Sequence, residues 1–544
     1  MFRSFQKPTL LHLALIASVA SFGQANRDTV TRLLGVMDSI YTRISKNYIQ
    51  SVSLENMTRK GINAMFEGLD PFTRYFSPEE AVEFHLNLSG KFGGIGAVFA
   101  QVNNQTVFTR VLEGYPAGKA GVKPGDLLIE VDGVSTKDKS LDDVRYRLIG
   151  EPGKKVTITI VHPGSDPAKA EIVRQEILLK SVPYSGMIQQ GIGYIKFTGV
   201  TEHCSDEVKK ALLDLKQNKQ LKGIVLDLRD NTGGYAREAI KIANYFIDKG
   251  NVIVQIKGRN EDSVIYAAEN AIDKSIPLAL LTNGSTASAA EILSGAIQDN
   301  DRGIIIGQKT FGKGLIGTVY KLGGGSEAVI TTSFYHTPSG RCIQSKNFWS
   351  GSSGGTELVD SLRHWFTTKN GRRVREAEGI IPDVLIDAMP AGGITNFLTY
   401  NTYIFDYAMQ YKLRHPSIPQ PADFRLMESD YEDFVSTIKN KISGYTTTTE
   451  EKLQVLIKTS RMEGYFAQLE TYFNDIEATI NAEKMKELER YKVAIKGLLE
   501  QEIAYLYFGQ KGYTEAEFKD DNELKKAVEI LSASQTYKNK LALK

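Results

Sequence analysis

Residues Asn283–Ile292 read NGSTASAAEI, and the chain around this segment is organised by it. The apolar run Pro277–Leu281 comes just before it and predicts a buried strand. The stretch from Ala289 to Ala296 follows and is compatible with a helix. Ser288 is therefore expected at a helix start, where unpaired backbone N–H groups and the helix dipole favour developing negative charge.

A second glycine-rich turn, TFGKG at residues Thr310–Gly314, follows the apolar run Gly303–Gly307. Glycines flank Lys313 on both sides, so backbone can pack closely around its ammonium group. A lysine acts as a base only if desolvation lowers its pKa well below the ordinary value of about 10.4. Ser288 and Lys313 together thus fit a Ser/Lys nucleophile pair. Taken singly, each has a structural alternative, a helix N-cap for the serine and a phosphate contact or solvated turn for the lysine.

A third segment, DLRDNTGG at Asp227–Gly234, precedes both. The three motifs, in this order, resemble the carboxyl-terminal processing peptidases, also called tail-specific proteases; Ser288 and Lys313 stand 313 − 288 = 25 positions apart. The resemblance implies a serine endopeptidase with Ser288 as nucleophile, Lys313 as general base and an oxyanion hole formed by the backbone N–H groups of Gly234 and Ala289. It implies no metal and no organic cofactor.

One position departs from the family pattern. Members of the family usually carry a glutamine four residues after the lysine, and Gly317 stands there in this chain. Either another polar group orients the lysine, with Glu291 and Gln344 as the candidates, or catalysis is impaired. The alternative function is therefore a catalytically weak or inactive binding or chaperone protein on the same scaffold.

Residues 91–164 resemble a PDZ domain. The glycines of KFGGIGAV at 91–98 allow a nest of backbone N–H groups for a terminal carboxylate, which predicts Gly93, Gly94, Ile95 and Gly96 as the carboxylate site. Residues 97–100 would then be an open strand edge for a substrate tail, and residues 141–149 the helix that lines the groove. The resemblance implies protein or peptide partners with free C-termini, cleaved near or from that end.

The pattern along the chain predicts a multidomain α/β protein. We expect a signal peptide at 1–25, an N-terminal helical region at 26–90, the PDZ domain at 91–164 and a layered α/β protease core at 165–389. Within that core, residues 165–192 are expected to be strands that join it to the PDZ domain. Residues 390–544 are predicted to be helical, with capping boxes at Thr448–Glu451 and Thr514–Glu517, but their role is open.

The first 25 residues have the pattern of a secretory signal. Arg3 and Lys7 supply positive charge, Leu10–Ala20 the apolar segment, and Gly23–Ala25 a small-x-small cleavage site. No later apolar run reaches the roughly 18 residues that a membrane span needs. The sequence thus predicts an exported protein in the periplasm or cell envelope, with the extracellular space as an alternative and no transmembrane segment in the mature chain.

Composition narrows the function classes. The net charge is +2 and the chain is 42% hydrophobic, values that fit a globular protein and give no reason to expect nucleic acid as a partner. The two cysteines, Cys204 and Cys342, form no CxxC pair, and two free buried thiols are expected rather than a disulfide. The seven histidines show no metal-binding spacing, so a metalloprotease is not expected. An adaptor and self-association stay open as further partners.

Overall fold

The computed structural model describes residues 10–102, 105–259, 262–348, 355–388 and 392–542. The chain divides into two compact units. The smaller contains Met1–Ser77, Thr318–Ile330 and Phe348–Gly355, and the larger contains Pro78–Gly317, Thr331–Asn347 and Thr356–Lys544. The chain contains many helices and many strands, and its fold class is multidomain α/β, as the sequence predicts.

The smaller unit begins with two helices and a short strand: α1 (Leu10–Asn47), α2 (Leu54–Glu67) and β1 (Arg74–Phe76). Helix α1 continues through the predicted cleavage site at Gly23–Ala25, and the first nine residues of the predicted signal peptide lie outside the described residues. Ser53 begins α2 by accepting a hydrogen bond from the N–H of Asn56. Arg74–Phe76 pair antiparallel with residues 327–329 of the same unit.

The larger unit begins with a helix and a glycine-rich strand pattern. Its elements here are α3 (Pro78–Ser89), β2 (Lys91–Gly94), β3 (Ala97–Val102), β4 (Gln105–Val111), α4 (Pro116–Lys119), β5 (Leu127–Val131), β6 (Val134–Ser135), α5 (Leu141–Leu148), β7 (Lys155–Val161), β8 (Ala168–Val173) and β9 (Gln175–Leu178). The sheet order is β3-β4-β5-β7-β8, with β6 on β5. Strand β3 is therefore an edge strand, where a free backbone edge can pair with another chain.

The chain continues into its central sheet and the strands that follow it in sequence. The next elements are β10 (Tyr184–Met187), β11 (Ile192–Lys196), α6 (Cys204–Lys216), β12 (Gly223–Asp227), α7 (Ala236–Asn244), β13 (Val252–Gly258), β14 (Asp262–Tyr266), β15 (Leu278–Thr282), α8 (Ala289–Asp299), β16 (Ile304–Gly307), β17 (Leu315–Lys321), β18 (Glu327–His336), β19 (Lys346–Asn347), β20 (Thr356–Glu357), β21 (Trp365–Thr367), β22 (Arg373–Arg375) and β23 (Val384–Leu385). The order of the central sheet is β10-β11-β12-β15-β16-β23, and all neighbours are parallel except β10 and β11.

Three of the strands predicted to be a linker belong to different sheets. Strand β8 pairs with β7, β9 pairs with β2, and β10 pairs with β11 at the edge of the central sheet. Residues 168–187 thus connect the sheet that contains β3 with the central sheet. They contribute β8 to the first of these sheets and β10 to the second, and β9 lies between them in sequence.

The described part of the C-terminal region is built of helices and the loops between them: α9 (Gly393–Tyr400), α10 (Tyr403–Arg414), α11 (Glu428–Ile438), α12 (Thr448–Glu463), α13 (Phe466–Arg490), α14 (Lys492–Glu517), α15 (Asn522–Ser532) and α16 (Ser534–Lys540). Two expectations about its helix starts are wrong. Thr447 rather than Thr448 is the N-cap of α12, with Glu450 completing the capping box, and Thr514 lies inside α14.

Each face of the central sheet packs against different helices. The buried strands are apolar along their whole length because successive side chains point to opposite faces and both faces are covered. Leu226, Leu280 and Ile305 pack with α6, α7 and α8. Val225, Leu281 and Ile306 pack instead with α15 and the residues after it. Part of the C-terminal region, whose role the sequence leaves open, thus completes the core of the predicted protease.

Candidate active site

The three motifs lie at the carboxyl ends of three neighbouring parallel strands. Strand β12 leads into Leu228–Gly234, β15 into Asn283–Ser288, and β16 into Gln308–Gly314. Because these strands are parallel and adjacent, their carboxyl ends meet at one edge of the sheet, the position where open α/β sheets bind ligands. Segments far apart in sequence are brought together here.

Hydrogen bonds join the three loops to one another. The Thr286 hydroxyl donates to the carbonyl of Leu228 at 2.8 Å, and the N–H of Ala287 donates to the carbonyl of Asn231 at 3.0 Å. The N–H of Phe311 donates to the carbonyl of Thr286 at 2.9 Å. The loop after β15 is thereby fixed to the loops on both sides.

Ser288 occupies an unusual backbone conformation. It is the N-cap of α8, with φ 55° and ψ −119°, a region that residues with a side chain rarely adopt. Its carbonyl accepts a hydrogen bond from the buried Tyr335 hydroxyl at 3.0 Å, and burial raises the pKa of Tyr335, so this hydroxyl keeps its proton. Such a strained turn at a helix start is typical of a serine presented as a nucleophile.

Glu291 connects the Ser288 turn to the Lys313 turn. Its side chain is fully buried and accepts four hydrogen bonds. One oxygen accepts from the Thr310 hydroxyl at 2.5 Å and from the N–H of Gly312 at 2.7 Å. The other accepts from the N–H of Ser288 at 2.8 Å and from the N–H of Lys313 at 2.9 Å. Burial raises the pKa of Glu291, and these four hydrogen bonds act against that shift.

The structure places the two candidates for orienting the lysine differently. Glu291 contacts the backbone of Lys313, whereas the Gln344 side-chain carbonyl accepts from the N–H of Gly314 at 2.8 Å. Lys313 itself is half-buried between these contacts. Gly317 lies in strand β17 and is exposed. The turn that carries Lys313 is thus held from both sides through its backbone.

The glycine pair of the first motif packs directly against Ser288. A Cβ atom added to Gly233 would lie 2.8 Å from the amide nitrogen of Ala289 and 2.9 Å from the Cβ of Ser288. Gly234 has φ 143° and packs so tightly that an added Cβ would lie 2.2 Å from the carbonyl oxygen of Val200. Only glycine fits at these two positions, and the pair brings its backbone to the start of α8.

Two backbone N–H groups at this place are available. Among the described residues, no group accepts a hydrogen bond from the N–H of Gly234 or from that of Ala289. Gly234 is exposed, and Ala289 is the first residue of α8. Unpaired N–H groups beside a helix N-terminus suit an oxyanion.

A buried cluster of charges supports the first loop from below. Asp227 accepts from the guanidinium of Arg229 at 2.7 Å and from the Tyr194 hydroxyl at 2.6 Å. Burial alone would raise the pKa of Asp227, but the positive charges of Arg229 and Lys196 hold it well below its ordinary range. Arg229 also pairs with Asp521, just before α15, at 2.5 Å. The sequence indicates that charges fix this loop but gives no sign of a partner 292 residues away.

The predicted carboxylate site divides into two parts. Gly93 and Gly94 lie in β2 and pair with β9, and the carbonyl of Gly93 accepts from the N–H of Gly150 at 3.0 Å. Ile95 and Gly96 form the turn between β2 and β3, and none of the described groups accepts from their N–H groups. Ile95 and Gly96 are among the residues that line a groove of about 510 Å³ between β3 and α5.

Other observations concern metals, thiols and membranes. Cys204 and Cys342 are both free, as expected; Cys204 is buried, but Cys342 is only partly buried. Within the described parts of the chain, no group of three or more His, Cys, Asp or Glu side chains is arranged to hold a metal ion. None of the described helices is long and apolar enough to cross a membrane.

Comparison with protein families finds three matches along the chain. Residues 191–350 match peptidase family S41, and residues 107–162 match the PDZ domain. Residues 394–531 match a family described as the C-terminal helical domain of a probable PDZ-protease.

Individual proteins are also similar. The carboxy-terminal-processing protease of Bartonella bacilliformis is 33% identical over 346 residues, which is 62% of this chain and 79% of that protein. A probable CtpA-like serine protease of Staphylococcus aureus is 34% identical over 317 residues, covering 58% of this chain and 63% of that protein. Among solved structures, the photosystem II D1 C-terminal processing protease is 27% identical with a TM-score of 0.36 and covers 64% of this chain and 86% of that one.

Proposed function

The chain belongs to the carboxy-terminal-processing proteases of peptidase family S41, and from this we propose that Ser288 and Lys313 form its catalytic dyad. The chain is a serine-type peptidase with a PDZ domain. The observation that best supports the dyad is the buried Glu291 carboxylate, which bonds the backbone N–H groups of both Ser288 and Lys313. One rigid group thereby fixes the two turns relative to each other.

In the proposed reaction, the neutral amine of Lys313 removes the proton from the Ser288 hydroxyl as its oxygen attacks the peptide carbonyl carbon. The N–H groups of Gly234 and Ala289 stabilise the resulting oxyanion, at about 3 kcal/mol of transition-state energy for each such donor in other proteases. Lys313 then gives the proton to the leaving amine, and water hydrolyses the acyl-enzyme in a second cycle of the same steps. No step requires a metal or an organic cofactor.

The groove between β3 and α5 is the proposed site for the substrate's C-terminus. The terminal carboxylate would accept from the N–H groups of Ile95 and Gly96, and the tail would add to the free edge of β3 as an extra strand. Gly93 and Gly94 would support this turn from β2 rather than bind the carboxylate directly. Cleavage would then occur near or from the end that the groove has captured.

We also propose the domain division given above, with the PDZ domain at 91–164 and the protease core at 165–389, and with residues 390–544 as a helical domain that covers one face of the core. The signal pattern at 1–25 supports export, with protein substrates in the periplasm or cell envelope. This chain matches 63% of the length of the S. aureus relative. We therefore infer the substrates from the groove of this chain and not from that protein.

The test is degradation of an unfolded protein by the chain that begins at Asn26. Ser288→Ala and Lys313→Ala should each abolish cleavage, because each removes one partner of the dyad. Ser285→Ala and Lys309→Ala, which change exposed residues in the same two loops, should leave it unchanged. A chain that binds free C-termini but cleaves nothing would favour the binding-protein alternative that Gly317 suggests. Cleavage that survives both dyad substitutions would contradict the proposal.

A further inference from the structure

Helix α3, which precedes the PDZ domain, forms part of the groove. The cavity between β3 and α5 is also lined by Glu79, Val82, Glu83, Leu86 and Asn87 of α3. These residues follow the spacing i, i+3, i+4, i+7 and i+8, so they lie on one face of the helix. Helix α3 thus lines the groove together with β3 and α5, although it lies outside the predicted domain.

The groove is surrounded by apolar side chains that the fold leaves exposed. Val82 of α3 is 59% exposed and Tyr146 of α5 is 63% exposed, and Val98 and Leu141 are also exposed at its rim. Exposed apolar residues scattered singly are ordinary, but several from separate elements around one cavity mark a binding surface. Leu86 contributes a further, half-buried apolar group from α3.

An ion pair joins α3 to α5 across the groove. The Arg145 guanidinium lies 3.0 Å from Glu83 and 3.2 Å from Asp142. The Nε of Arg145 is buried and has no hydrogen-bond acceptor within the described residues. Both side chains of the Arg145–Glu83 pair are more than a third exposed, so the pair is weak. It links the two helices that line the groove.

We propose that α3 is the third wall of the tail-binding groove and that Val82 and Leu86 contact the terminal side chain of the substrate. This inference rests on the proposed function of the groove as a site for free C-termini. The occupant is a polypeptide tail because the groove combines unpaired N–H groups at Ile95 and Gly96, a free strand edge at β3 and an apolar lining. The ligand class follows: chains that end in a free carboxylate and a large apolar residue.

The consequence concerns selectivity. The depth of the apolar site for the last side chain is set partly by residues outside the domain that binds the carboxylate. Tails that end in Leu or Phe reach Val82 and Leu86, whereas the methyl group of a terminal Ala contacts much less of this wall. Discrimination between large and small terminal residues is therefore a property of α3 together with the PDZ domain.

The experiment measures binding of fluorescent peptides to the chain from Asn26 with Ser288→Ala, which cannot cleave by the proposed mechanism. The peptides differ only in ending with Ala, Val, Leu or Phe, each as free acid and as amide. Val82→Ser and Leu86→Ser should weaken the Leu-ended acid roughly three- to tenfold, as expected for losing one or two buried methylene contacts. The Ala-ended acid should change less than about twofold, since it contacts little of this wall.

A matched control separates this effect from general damage. Val173→Ser changes another exposed valine, on β8 and outside the groove, and should bind every peptide as the unsubstituted chain does. Arg145→Glu should reduce the discrimination between Leu and Ala tails, and adding Glu83→Arg should restore it by reforming the pair with opposite polarity. If the double substitution does not restore the discrimination, the ion pair does not position α3.

The outcomes also separate this inference from the function it rests on. If the free acids and the amides bind equally, or if no peptide binds, the proposal that Ile95 and Gly96 bind a terminal carboxylate is contradicted. If the acids bind better than the amides but Val82→Ser and Leu86→Ser keep the full preference for Leu over Ala, α3 is not a wall of the site and the inference is overturned.

Discussion

The edge of the central sheet where the three motifs meet, called the catalytic edge here after its proposed role, and the groove beside β3 are built in opposite ways. At the catalytic edge, Glu291 is fully buried and every turn is held by hydrogen bonds of 2.5–3.0 Å. In the groove, apolar side chains are exposed and the connection to α3 is an ion pair open to water. Chemistry requires groups fixed within a fraction of an ångström, whereas capture of varied tails requires an open, adaptable surface.

The difference should appear first when the buried carboxylate is removed. Glu291→Leu leaves four donors without an acceptor, at about 1–3 kcal/mol for each buried unsatisfied group. We expect kcat/KM to fall by about 100-fold or more because the Ser288 and Lys313 turns lose their common support. Glu291→Gln keeps one acceptor oxygen, so its kcat/KM should lie between that of the wild type and that of Glu291→Leu. Glu269→Leu, on an exposed loop, is the control. A folded Glu291→Leu chain with unchanged kcat/KM would contradict this role.

The second effect tests the support beneath the catalytic edge. Arg229→Met removes the cation that Asp227 and Asp521 share in the buried cluster. Breaking a buried ion pair on one side costs about 3–5 kcal/mol because the partner carboxylates are left uncompensated. Urea denaturation should show this loss, together with reduced cleavage. A loss below about 1 kcal/mol would mean that the cluster is hydrated and does not hold the loop on the C-terminal helices.

The pH dependence of stability also tests the buried charge cluster. The pKa of Asp227 is held far below its unfolded value of about 3.9, so the folded chain binds fewer protons than the unfolded chain as the pH falls through that range. The stability that its ionised form contributes is fully present above about pH 4 and is lost progressively at lower pH. The gap in unfolding free energy between the wild type and Asp227→Asn should be constant from neutral pH to about pH 5 and narrow below about pH 4. If the difference in unfolding free energy widens below about pH 4, the pKa of Asp227 is not lowered in the folded chain.

The smallest effect is expected in the groove. Glu83→Gln removes an ion pair in which both side chains are more than a third exposed, so the free energy of unfolding should change by less than about 1 kcal/mol. Cleavage of a substrate saturating for the catalytic site should be unchanged, because Glu83 lines the groove and has no contact with the turns that carry Ser288 and Lys313 among the described hydrogen bonds and ion pairs. Thermal denaturation and kcat provide the check. A destabilisation as large as that of Arg229→Met would show that the two regions are not built differently.

The sequence was sufficient to predict the strands and turns that carry the three motifs because the information for them is local. Each motif directly follows an apolar strand, and three parallel strands that are neighbours in the sheet bring their ends together. The helix after Ser288 and the edge position of β3 are confirmed. The assignment of catalytic roles to Ser288 and Lys313 stays a prediction, as does the carboxylate site.

Long-range packing could not be predicted in the same way. Leu524, Ala527, Val528 and Leu531 have ordinary helical spacing, which indicates an apolar face but not its partners. These partners include Val225, Leu281 and Ile306 of the central sheet, which lie more than 200 residues earlier. The Arg229–Asp521 pair and the contribution of α3 to the groove are equally invisible in a single sequence. Four successive threonines at 446–449 also offer several helix starts, and the choice of Thr447 depends on which glutamate can turn back to it.

The central claim is that Ser288 is a nucleophile activated by Lys313, and covalent labelling tests it most directly. The chain from Asn26 is treated with a peptidyl fluorophosphonate, and the modified residue and labelling rate are determined by mass spectrometry. The account predicts a single adduct on Ser288, absent in Ser288→Ala, much slower in Lys313→Ala, and faster as rising pH leaves more of the lysine neutral. An adduct on another residue, or a rate on Ser288 indifferent to Lys313→Ala, would contradict it.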